Sequence, residues 1–209
     1  MAEGLVIDDL ARRFGGRWAV ARVSLTVPRG TVMMLTGANG SGKTTLLRCL
    51  ATALRPHHGR ALFDGQDLWQ RRASMRPRIA FLSHQLRLYD DLSARDNLGV
   101  WADLGGLRPD ISALLTQVGL ETHRPDPVRT FSAGMRRRLS LARMLLRQPD
   151  LVLMDEPFSA FDPPGQQLIR DVVRQAKQRG ATVVITTHVP EIAQAVCDTR
   201  VHLDAGQIA

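Results

Sequence analysis

The sequence is poor in lysine, aromatic residues, cysteine and long apolar runs. These shortages argue against particular kinds of structure and binding site. Only two of its 28 basic residues are lysine. Its uninterrupted apolar segments are short, such as residues 151–154, and none approaches the roughly 18 residues that a membrane-spanning helix needs. Any role at a membrane is therefore expected to come through a partner.

The few cysteines and the histidine pair argue against a metal or disulfide framework. Cys49 and Cys197 have neither C-x-x-C nor metal-binding spacing, which favours reduced thiols in the core of a cytosolic protein. The first residues contain no basic region followed by an apolar core, so a secretory signal is not expected. His57 and His58 lack a third ligand at useful spacing and are expected in an exposed turn.

Charged residues are abundant, and basic residues outnumber acidic ones. The net charge is +8 in 209 residues, and 44% of the residues are hydrophobic, enough for one compact domain. Such a balance suits nucleic acid or an acidic lipid surface. The densest cluster, residues 136–138, has no interleaved aromatic residue, and the remaining arginines are scattered. Solvated arginines on many faces are therefore expected, without direct nucleic-acid binding.

A glycine-rich loop dominates the first half of the chain. Residues 37–45 follow an apolar run at 32–35 and precede an amphipathic run at 46–54, the context of a phosphate-binding loop. Glycines allow successive backbone N–H groups to surround a phosphate, and the helix N-terminus adds positive partial charge. Lys43 is expected to reach the β- and γ-phosphates, and the Thr44 hydroxyl to bind Mg²⁺.

Three further apolar runs are typical of buried strands, and polar residues follow each of them: Gln85 after 79–82, Asp155 and Glu156 after 151–154, and His188 after 182–186. Ligands bind beyond the carboxyl ends of parallel strands in open α/β sheets. Beside a phosphate loop, adjacent carboxylates suit a metal ligand and a base for water, provided that the chain bends after the strand. Taken singly, Gln85 is an ordinary loop amide and His188 a structural histidine.

Between residues 86 and 148 the pattern changes from strand to helix. Residues 93–96 have the form of a capping box. Ser132 and Gly134 open a long amphipathic helix, where either an anion site or a plain N-cap is expected.

The N-terminal segment alternates as short strands do. Strands are expected at 5–7 and 23–27, with Phe14 in a glycine-flanked loop between them. An exposed ring before a phosphate loop stacks on an adenine, whereas the plainer alternative is a side chain at the edge of the core.

The order of these motifs resembles that of the nucleotide-binding subunit of ABC transporters, over essentially the whole chain. The resemblance implies an α/β fold: a P-loop NTPase (RecA-like) core, a small antiparallel β subdomain and an inserted α-helical subdomain. It implies one nucleotide-binding domain, 1–209, with the core at 1–85 and 149–209 and the helical subdomain at about 86–148. ATP and Mg²⁺ are the implied cofactors, and ATP hydrolysis is the implied activity.

The resemblance assigns roles position by position. The catalytic positions are Glu156 as general base, His188 as switch histidine, Gln85 and Lys43. The metal-binding positions are Thr44, Gln85 and Asp155. The ATP-binding positions are Phe14 for the adenine ring, the phosphate loop of Gly37, Ala38, Asn39, Gly40, Ser41, Gly42, Lys43, Thr44 and Thr45, the signature residues Ser132 and Gly134, and Asp162 of the D-loop.

The resemblance also implies partners. Two copies are expected to close head to tail around two ATP molecules, with each phosphate loop facing the other copy's signature. A membrane subunit is expected to contact residues 86–92, where Leu88 and Tyr89 lie, which places the chain peripherally on the cytoplasmic face of the inner membrane. The signature departs from Leu-Ser-Gly-Gly-Gln, since it reads Phe-Ser-Ala-Gly-Met from residue 131 to Met135. Loss of that Gln puts the strength of ATP-driven dimerisation in question.

Finer detail is similar to one branch of the family. The phrases at 36–40, 83–85, 132–134, 155–160 and 187–190 look like the haem-exporter ATPase of cytochrome c maturation (the CcmA family). The alternatives are another small ABC exporter and an ABC-type ATPase that acts on nucleic acid. The second of these usually has two cassettes or a coiled-coil insertion, and this sequence has neither. A regulator without turnover is disfavoured because Glu156 and His188 are both present.

Overall fold

The computed structural model describes residues 4–120, 125–159 and 161–209. The first three residues and Ala160, on which two sequence expectations fall, lie outside this range. The strands are β1 (Leu5–Phe14), β2 (Arg17–Val27), β3 (Val32–Thr36), β4 (His58–Phe63), β5 (Gln66–Asp67), β6 (Ile79–Leu82), β7 (Leu151–Asp155), β8 (Thr182–Thr187), β9 (Thr199–Asp204) and β10 (Gln207–Ile208). The α-helices are α1 (Lys43–Leu50), α2 (Arg72–Met75), α3 (Ala94–Leu104), α4 (Ile111–Gln117), α5 (Ala133–Leu145), α6 (Pro163–Gln178) and α7 (Pro190–Ala193).

The strands form two sheets of different type. A four-stranded antiparallel sheet has the order β2-β1-β4-β5, and a six-stranded sheet has the order β10-β9-β3-β8-β7-β6. In the second sheet only the pairing of β10 with β9 is antiparallel. Every residue of β3, β7 and β8 is buried. These apolar strands therefore form the middle of a sheet that is covered on both faces.

The parallel sheet separates two hydrophobic cores. Successive residues of a strand point to opposite faces, so Met33 and Leu35 pack in one core while Val32 and Met34 pack in the other. The first core also contains α1 and the antiparallel sheet, and the second contains α3, α4, α5 and α6. The helical insertion thus covers one face of the sheet, and the antiparallel sheet with α1 covers the other.

Helix starts follow the predicted capping chemistry. A side-chain oxygen accepts a hydrogen bond from the backbone N–H three residues later at the starts of α3, α4, α5 and α6, the caps being Ser93, Asp110, Ser132 and Asp162. Gly105 caps the C-terminus of α3. No helix among the described residues is long and apolar enough to cross a lipid bilayer.

Two local expectations were wrong. Phe14 is the last residue of β1 and not a loop residue, because β1 and β2 pair as far as Phe14 and Arg17. The histidine pair is exposed, but it is not a turn, because His58 begins β4 opposite Ala11 and the His57 N–H donates to the Ala11 carbonyl oxygen. In both cases long-range strand pairing extends an element that the local pattern ends.

Candidate functional site

The ends of three neighbouring parallel strands bring the polar motifs together. In the register of the sheet Thr36 of β3 pairs with Thr187 of β8, and Asp155 of β7 pairs with Thr186 of β8. The glycine loop follows β3, Glu156 follows β7 and His188 follows β8. All three segments therefore meet beyond the same edge of the sheet.

The phosphate loop needs glycine at specific positions. Gly37, Gly40 and Gly42 have φ of 151°, 83° and 106°. A Cβ on Gly37 would lie 2.2 Å from the Leu203 carbonyl oxygen, and one on Gly42 would lie 2.1 Å from the Ala19 carbonyl oxygen. Strand β2 and the end of β9 thus pack directly against the loop and leave no room for side chains at these glycines. Helix α1 begins at the loop, and its first N–H groups face the loop.

Two side chains in the loop fit an anion. The Ser41 hydroxyl is buried and has no hydrogen-bond partner in the described part of the chain. Lys43, only 6% exposed, donates from Nζ to the carbonyl oxygens of Gly37 and Ala38, at 2.7 and 3.0 Å. A phosphate group would supply a hydrogen-bond partner for this hydroxyl and a charged partner for Lys43, whose hydrogen bonds here go to neutral carbonyls and whose nearest carboxylate, Glu156, is 3.8 Å away.

Hard oxygen ligands lie directly beside the loop. The Thr44 hydroxyl is 3.0 and 2.8 Å from the two carboxylate oxygens of Asp155. Asp155 is 4% exposed, and its Oδ1 accepts a second hydrogen bond from the Thr186 hydroxyl at 2.8 Å. One hydroxyl and one carboxylate, next to phosphate oxygens and water, match the ligand preference of Mg²⁺.

Glu156 lies at a bend immediately after β7. Its φ is 51°, in the left-handed region that non-glycine residues rarely adopt. Its N–H donates to the hydroxyl and the carbonyl oxygen of Thr186, at 3.0 and 3.2 Å. The bend expected from the sequence is therefore present, and it directs the carboxylates of Asp155 and Glu156 into one site.

The Glu156 carboxylate is held between a histidine and a lysine. Its Oε2 lies 2.8 Å from His188 Nδ1 and accepts from the His188 N–H at 3.3 Å. Its Oε1 lies 3.8 Å from Lys43 Nζ. Glu156 is 9% exposed, so the orientation of a nearly buried carboxylate depends on these contacts.

Thr186 is the residue that sequence reasoning missed. Its hydroxyl donates to Asp155 and accepts from Glu156, so it fixes both carboxylate residues. The available signal was a fully buried threonine at the polar end of an apolar strand, since a buried hydroxyl normally has a specific partner.

Gln85 does not line the pocket that contains Asp155 and Glu156. Ser83 and His84 line a small pocket with Asp155 and Glu156, whereas Gln85 lines a second cavity together with Arg87 and Trp101. The two cavities share Ser83.

Ser132 and Asp162 are helix caps, and Gly134 lies in the first turn of α5. Ser132 and Gly134 are exposed at the start of α5, and Ser132 Oγ accepts from the Met135 N–H at 3.2 Å. Asp162 Oδ1 accepts from the Gly165 N–H at 3.0 Å and lies 4.0 Å from Arg138 of α5. The sequence predicts either a helix cap or an anion site at Ser132. Within one chain, Ser132 is observed as a helix cap.

Phe14 lies at the tip of the hairpin whose second strand supports the phosphate loop. Its side chain is 51% exposed, and the Arg12 guanidinium carbon is 5.0 Å from the ring centroid. Ala19 of the same hairpin contacts Gly42 of the loop. Phe14 is therefore an exposed ring on the hairpin that contacts the phosphate loop.

The cysteines and histidines form no metal site in the described ranges 4–120, 125–159 and 161–209. Both cysteines are free, Cys49 being buried and Cys197 half-buried. Burial raises the pKa of the Cys49 thiol to about 12 and that of Cys197 to about 11. Both are therefore unreactive thiols at neutral pH.

Comparison with known proteins identifies relatives of the whole chain. The family model described as ABC transporter matches residues 20–159. The ABC transporter ATP-binding protein NatA of Bacillus subtilis is 34% identical over 98% of this chain and 87% of its own length. The lantibiotic transport ATP-binding protein SrtF of Streptococcus pyogenes is 34% identical over 93% of this chain and 84% of its length.

Two further comparisons bear on length and fold. The daunorubicin resistance ATP-binding protein DrrA3 of Streptomyces coeruleorubidus is 36% identical over 98% of this chain, which spans 66% of its length. A solved ATP-binding subunit of an ABC transporter superposes with a TM-score of 0.89 at 26% identity, over 98% of this chain and 87% of that one. The expected fold class is thereby confirmed.

Proposed function

This chain belongs to the ABC transporter family as an ATP-binding subunit, and from that premise we propose that it hydrolyses ATP to drive a separate membrane subunit. The single observation that carries the proposal is the convergence of one lysine, two carboxylates and one histidine at one sheet edge, next to a glycine loop. Lys43 contacts Glu156, Glu156 contacts His188, and Thr44 contacts Asp155.

The phosphates of ATP bind in the glycine loop. The loop N–H groups and the start of α1 hold the phosphate oxygens, and the Ser41 hydroxyl gains the partner that it lacks. Lys43 exchanges its carbonyl contacts for the β- and γ-phosphates.

Phe14 stacks on the adenine ring. Thr44 and Asp155 would hold Mg²⁺, and Gln85, whose segment reaches their pocket through Ser83, would supply a further oxygen ligand. When bound, Mg²⁺ supplies positive charge to the phosphate oxygens.

Glu156 acts as the general base. It accepts a proton from water as the water oxygen bonds to the γ-phosphorus and the bond to the bridging oxygen breaks. His188 positions this carboxylate through the Nδ1 contact at 2.8 Å. General-base help of this kind is worth about 10²–10⁴ in rate.

The site is completed by a second copy. Ser132 and Gly134 are exposed and lie in the helical insertion rather than at the sheet edge that holds Lys43. In the head-to-tail dimer the start of α5 from one copy binds the γ-phosphate held by the other. Met135 replaces the usual Gln, so this contact rests on backbone N–H groups and the Ser132 hydroxyl. Asp162, which caps α6 of its own chain, belongs to the D-loop beside this contact.

For the cargo we propose haem, exported during cytochrome c maturation, with the chain bound peripherally to the cytoplasmic face of the membrane. Support comes from the phrases at 36–40, 83–85 and 187–190. The relatives named for daunorubicin resistance and lantibiotic transport favour a second candidate, export of a drug or peptide. The membrane subunit decides between these candidates.

The experiment is reconstitution of the chain with the membrane subunit that co-purifies with it. ATP hydrolysis in liposomes is measured alone and with haem, daunorubicin or a lantibiotic peptide. Stimulation by haem supports the first cargo, and stimulation by daunorubicin or the peptide alone supports the second. Absence of Mg²⁺-dependent ATP hydrolysis in both the chain and the complex would contradict the proposed function.

A further inference from the structure

Two arginine–aromatic pairs lie near the tip of the hairpin formed by β1 and β2. The guanidinium carbon of Arg12 is 5.0 Å from the centroid of the Phe14 ring, and that of Arg13 is 5.7 Å from the centroid of the Trp18 ring. Distances below about 6 Å are those of cation–π contacts. Of the two rings, Phe14 is the more exposed, at 51% against 39% for Trp18. The Arg12 guanidinium therefore lies over Phe14 and leaves half of that residue open to a second group.

The Arg12 side chain is fixed by the segment that follows α1. Its Nη1 donates to the Arg55 carbonyl oxygen at 3.0 Å. That segment is itself bound to the last turn of α1, because the Ala53 N–H donates to the Arg48 carbonyl oxygen at 3.0 Å. The helix that begins at the phosphate loop thus holds, beyond its other end, the cation that contacts Phe14.

No carboxylate among the described residues forms an ion pair with Arg12. Its Nε is buried and has no hydrogen-bond partner within the described ranges. Its charged neighbours are cations, since partial desolvation, and then the charges of Arg12, Arg13 and His58, hold the pKa of His57 below its ordinary value. A half-buried cation in such surroundings is costly unless its contacts compensate. The aromatic ring and the carbonyl oxygen that it contacts are therefore the interactions that keep the guanidinium in place.

The hairpin and the phosphate loop are joined at two points. Ala19 of β2 packs directly against Gly42, the residue before α1. Arg12 of β1 binds the segment after α1 through Arg55. Because a helix is a rigid spacer, contacts at both ends of α1 set the position of the Phe14 ring relative to the phosphate loop.

We propose that Arg12 is a positioning residue for the base of ATP: its guanidinium holds Phe14 so that the exposed side of the ring receives the adenine. The stacking order is then guanidinium, phenyl ring and adenine. The inference rests on the proposed function, and it assigns to Arg12 no contact with the phosphates. A ring that is held in advance loses less side-chain freedom when the nucleotide binds. Arg12 therefore raises the affinity for the base without adding to the affinity for the phosphates.

The test compares AMP-PNP, an ATP analogue that resists hydrolysis, with inorganic triphosphate, which has the phosphates and no base. Binding of each to the full chain with Mg²⁺ is measured by isothermal titration calorimetry. Arg12→Met keeps the aliphatic part of the side chain and removes the cation, and it is expected to weaken AMP-PNP binding by about three- to fivefold. Its affinity for triphosphate should equal that of the unsubstituted chain, which also shows that the phosphate loop is intact.

Two further arginine variants separate positioning from charge. Arg13→Met removes the same charge at the next residue, whose ring contact is Trp18, and it should bind both ligands as the unsubstituted chain does. Arg12→Lys retains a cation that can contact an aromatic face. It should therefore bind AMP-PNP more tightly than Arg12→Met.

A double variant shows whether Arg12 acts through the ring. Phe14→Ala alone should weaken AMP-PNP binding by about tenfold and leave triphosphate binding unchanged. Adding Arg12→Met to Phe14→Ala should cause no further loss, because the two residues then act as one unit. The inference is overturned if Arg12→Met binds AMP-PNP normally, if it loses affinity for both ligands equally, or if the two losses add in full.

Failure of the proposed function gives a different result. A chain that binds neither ligand, or a Phe14→Ala variant that binds AMP-PNP normally, would contradict the proposed ATP site. A selective loss of AMP-PNP binding in Phe14→Ala, with no loss in Arg12→Met, would contradict the inference alone.

Discussion

The hydroxyl of Thr186 lies 2.8 Å from Oδ1 of Asp155, and this contact joins the neighbouring strands β7 and β8 at the edge of the sheet that holds the candidate site. The same hydroxyl accepts the Glu156 N–H at 3.0 Å, at the residue whose φ is 51°. One buried side chain therefore fixes both the proposed metal ligand and the proposed base.

Removing this hydroxyl should impair catalysis more than ATP binding. Thr186→Val keeps the shape of the side chain but leaves Asp155 and Glu156 without their shared partner. Loss of such supporting contacts typically costs about 10–100-fold in metal affinity or activity. We expect kcat to fall within that range and the Mg²⁺ requirement to rise, while Mg²⁺-free binding of a fluorescent nucleotide is unchanged.

The control for Thr186→Val lies on the same strand. Thr182 is equally buried, and its hydroxyl has no partner in the described part of the chain, so Thr182→Val should leave kcat unchanged. Thr186→Ser should restore most of the activity. Equal effects of the two valine variants would show that Thr186 matters only for packing.

The role of Lys43 in ATP binding can be tested by comparison with the second lysine of the chain. Lys43→Ala should weaken ATP binding by at least about tenfold, since a charge-assisted contact to phosphate is lost. The chain's only other lysine, Lys177 in the last turn of α6, pairs with Asp198, and Lys177→Ala should bind ATP normally. Titration with a fluorescent ATP analogue measures both. Unchanged affinity in Lys43→Ala would contradict the phosphate role.

If two copies of the chain form each ATP site, two variants that are inactive alone should regain activity when they are mixed. Gly134→Asp places a negative charge at the signature, and the position is open, since the nearest atom to a Cβ there is Ser132 Oγ at 3.9 Å. Lys43→Ala and Gly134→Asp should each be inactive alone. Mixed in equal amounts they form dimers with one intact site, giving about a quarter of the full rate if subunits exchange at random. A mixture as inactive as its components would place each complete site within one chain.

Asp150 predicts a specific acid dependence of stability. Burial opposes its ionisation, but hydrogen bonds from Arg78 at 2.6 Å and Arg29 at 2.9 Å outweigh burial, and its pKa lies below the ordinary value. Its contribution is therefore present above the unfolded pKa of about 3.9 and is lost as pH falls through the lower folded value.

Thermal unfolding across pH measures this contribution. Asp150→Asn should lower Tm at pH 7, and the difference from the unsubstituted chain should shrink below about pH 4. Asp171→Asn, which removes an exposed ion pair with Arg174, should change Tm little at either pH. A Tm difference for Asp150→Asn that is independent of pH would contradict the electrostatic explanation.

The parts of the site that could be predicted from sequence are those encoded by local patterns. Lys43 and Thr44 belong to a contiguous loop motif, and Asp155 and Glu156 follow an apolar run, so spacing alone located them. The partner of Asp155 could not be predicted, because the pairing of β7 with β8 decides that Thr186 is its neighbour. Register between distant strands is a property of the folded sheet.

Long-range pairing also explains the errors in the fold. The extent of β1 and the strand position of His58 depend on pairing across the antiparallel sheet, which local glycines and prolines do not reveal. Likewise, the position of Gln85, which lines the cavity with Arg87 and Trp101 and not the pocket of Asp155 and Glu156, depends on how the helical insertion packs against the sheet. Sequence order shows only that Gln85 follows β6.

The most direct test of ATP hydrolysis by this chain is the Glu156→Gln variant. Glutamine keeps the size of the side chain and can still contact His188, but it cannot accept a proton from water. We predict that the variant binds Mg-ATP as tightly as the unsubstituted chain, loses at least about 10²-fold in kcat and accumulates as an ATP-bound dimer in light scattering. Hydrolysis at the unsubstituted rate would contradict the assignment of Glu156 as the base.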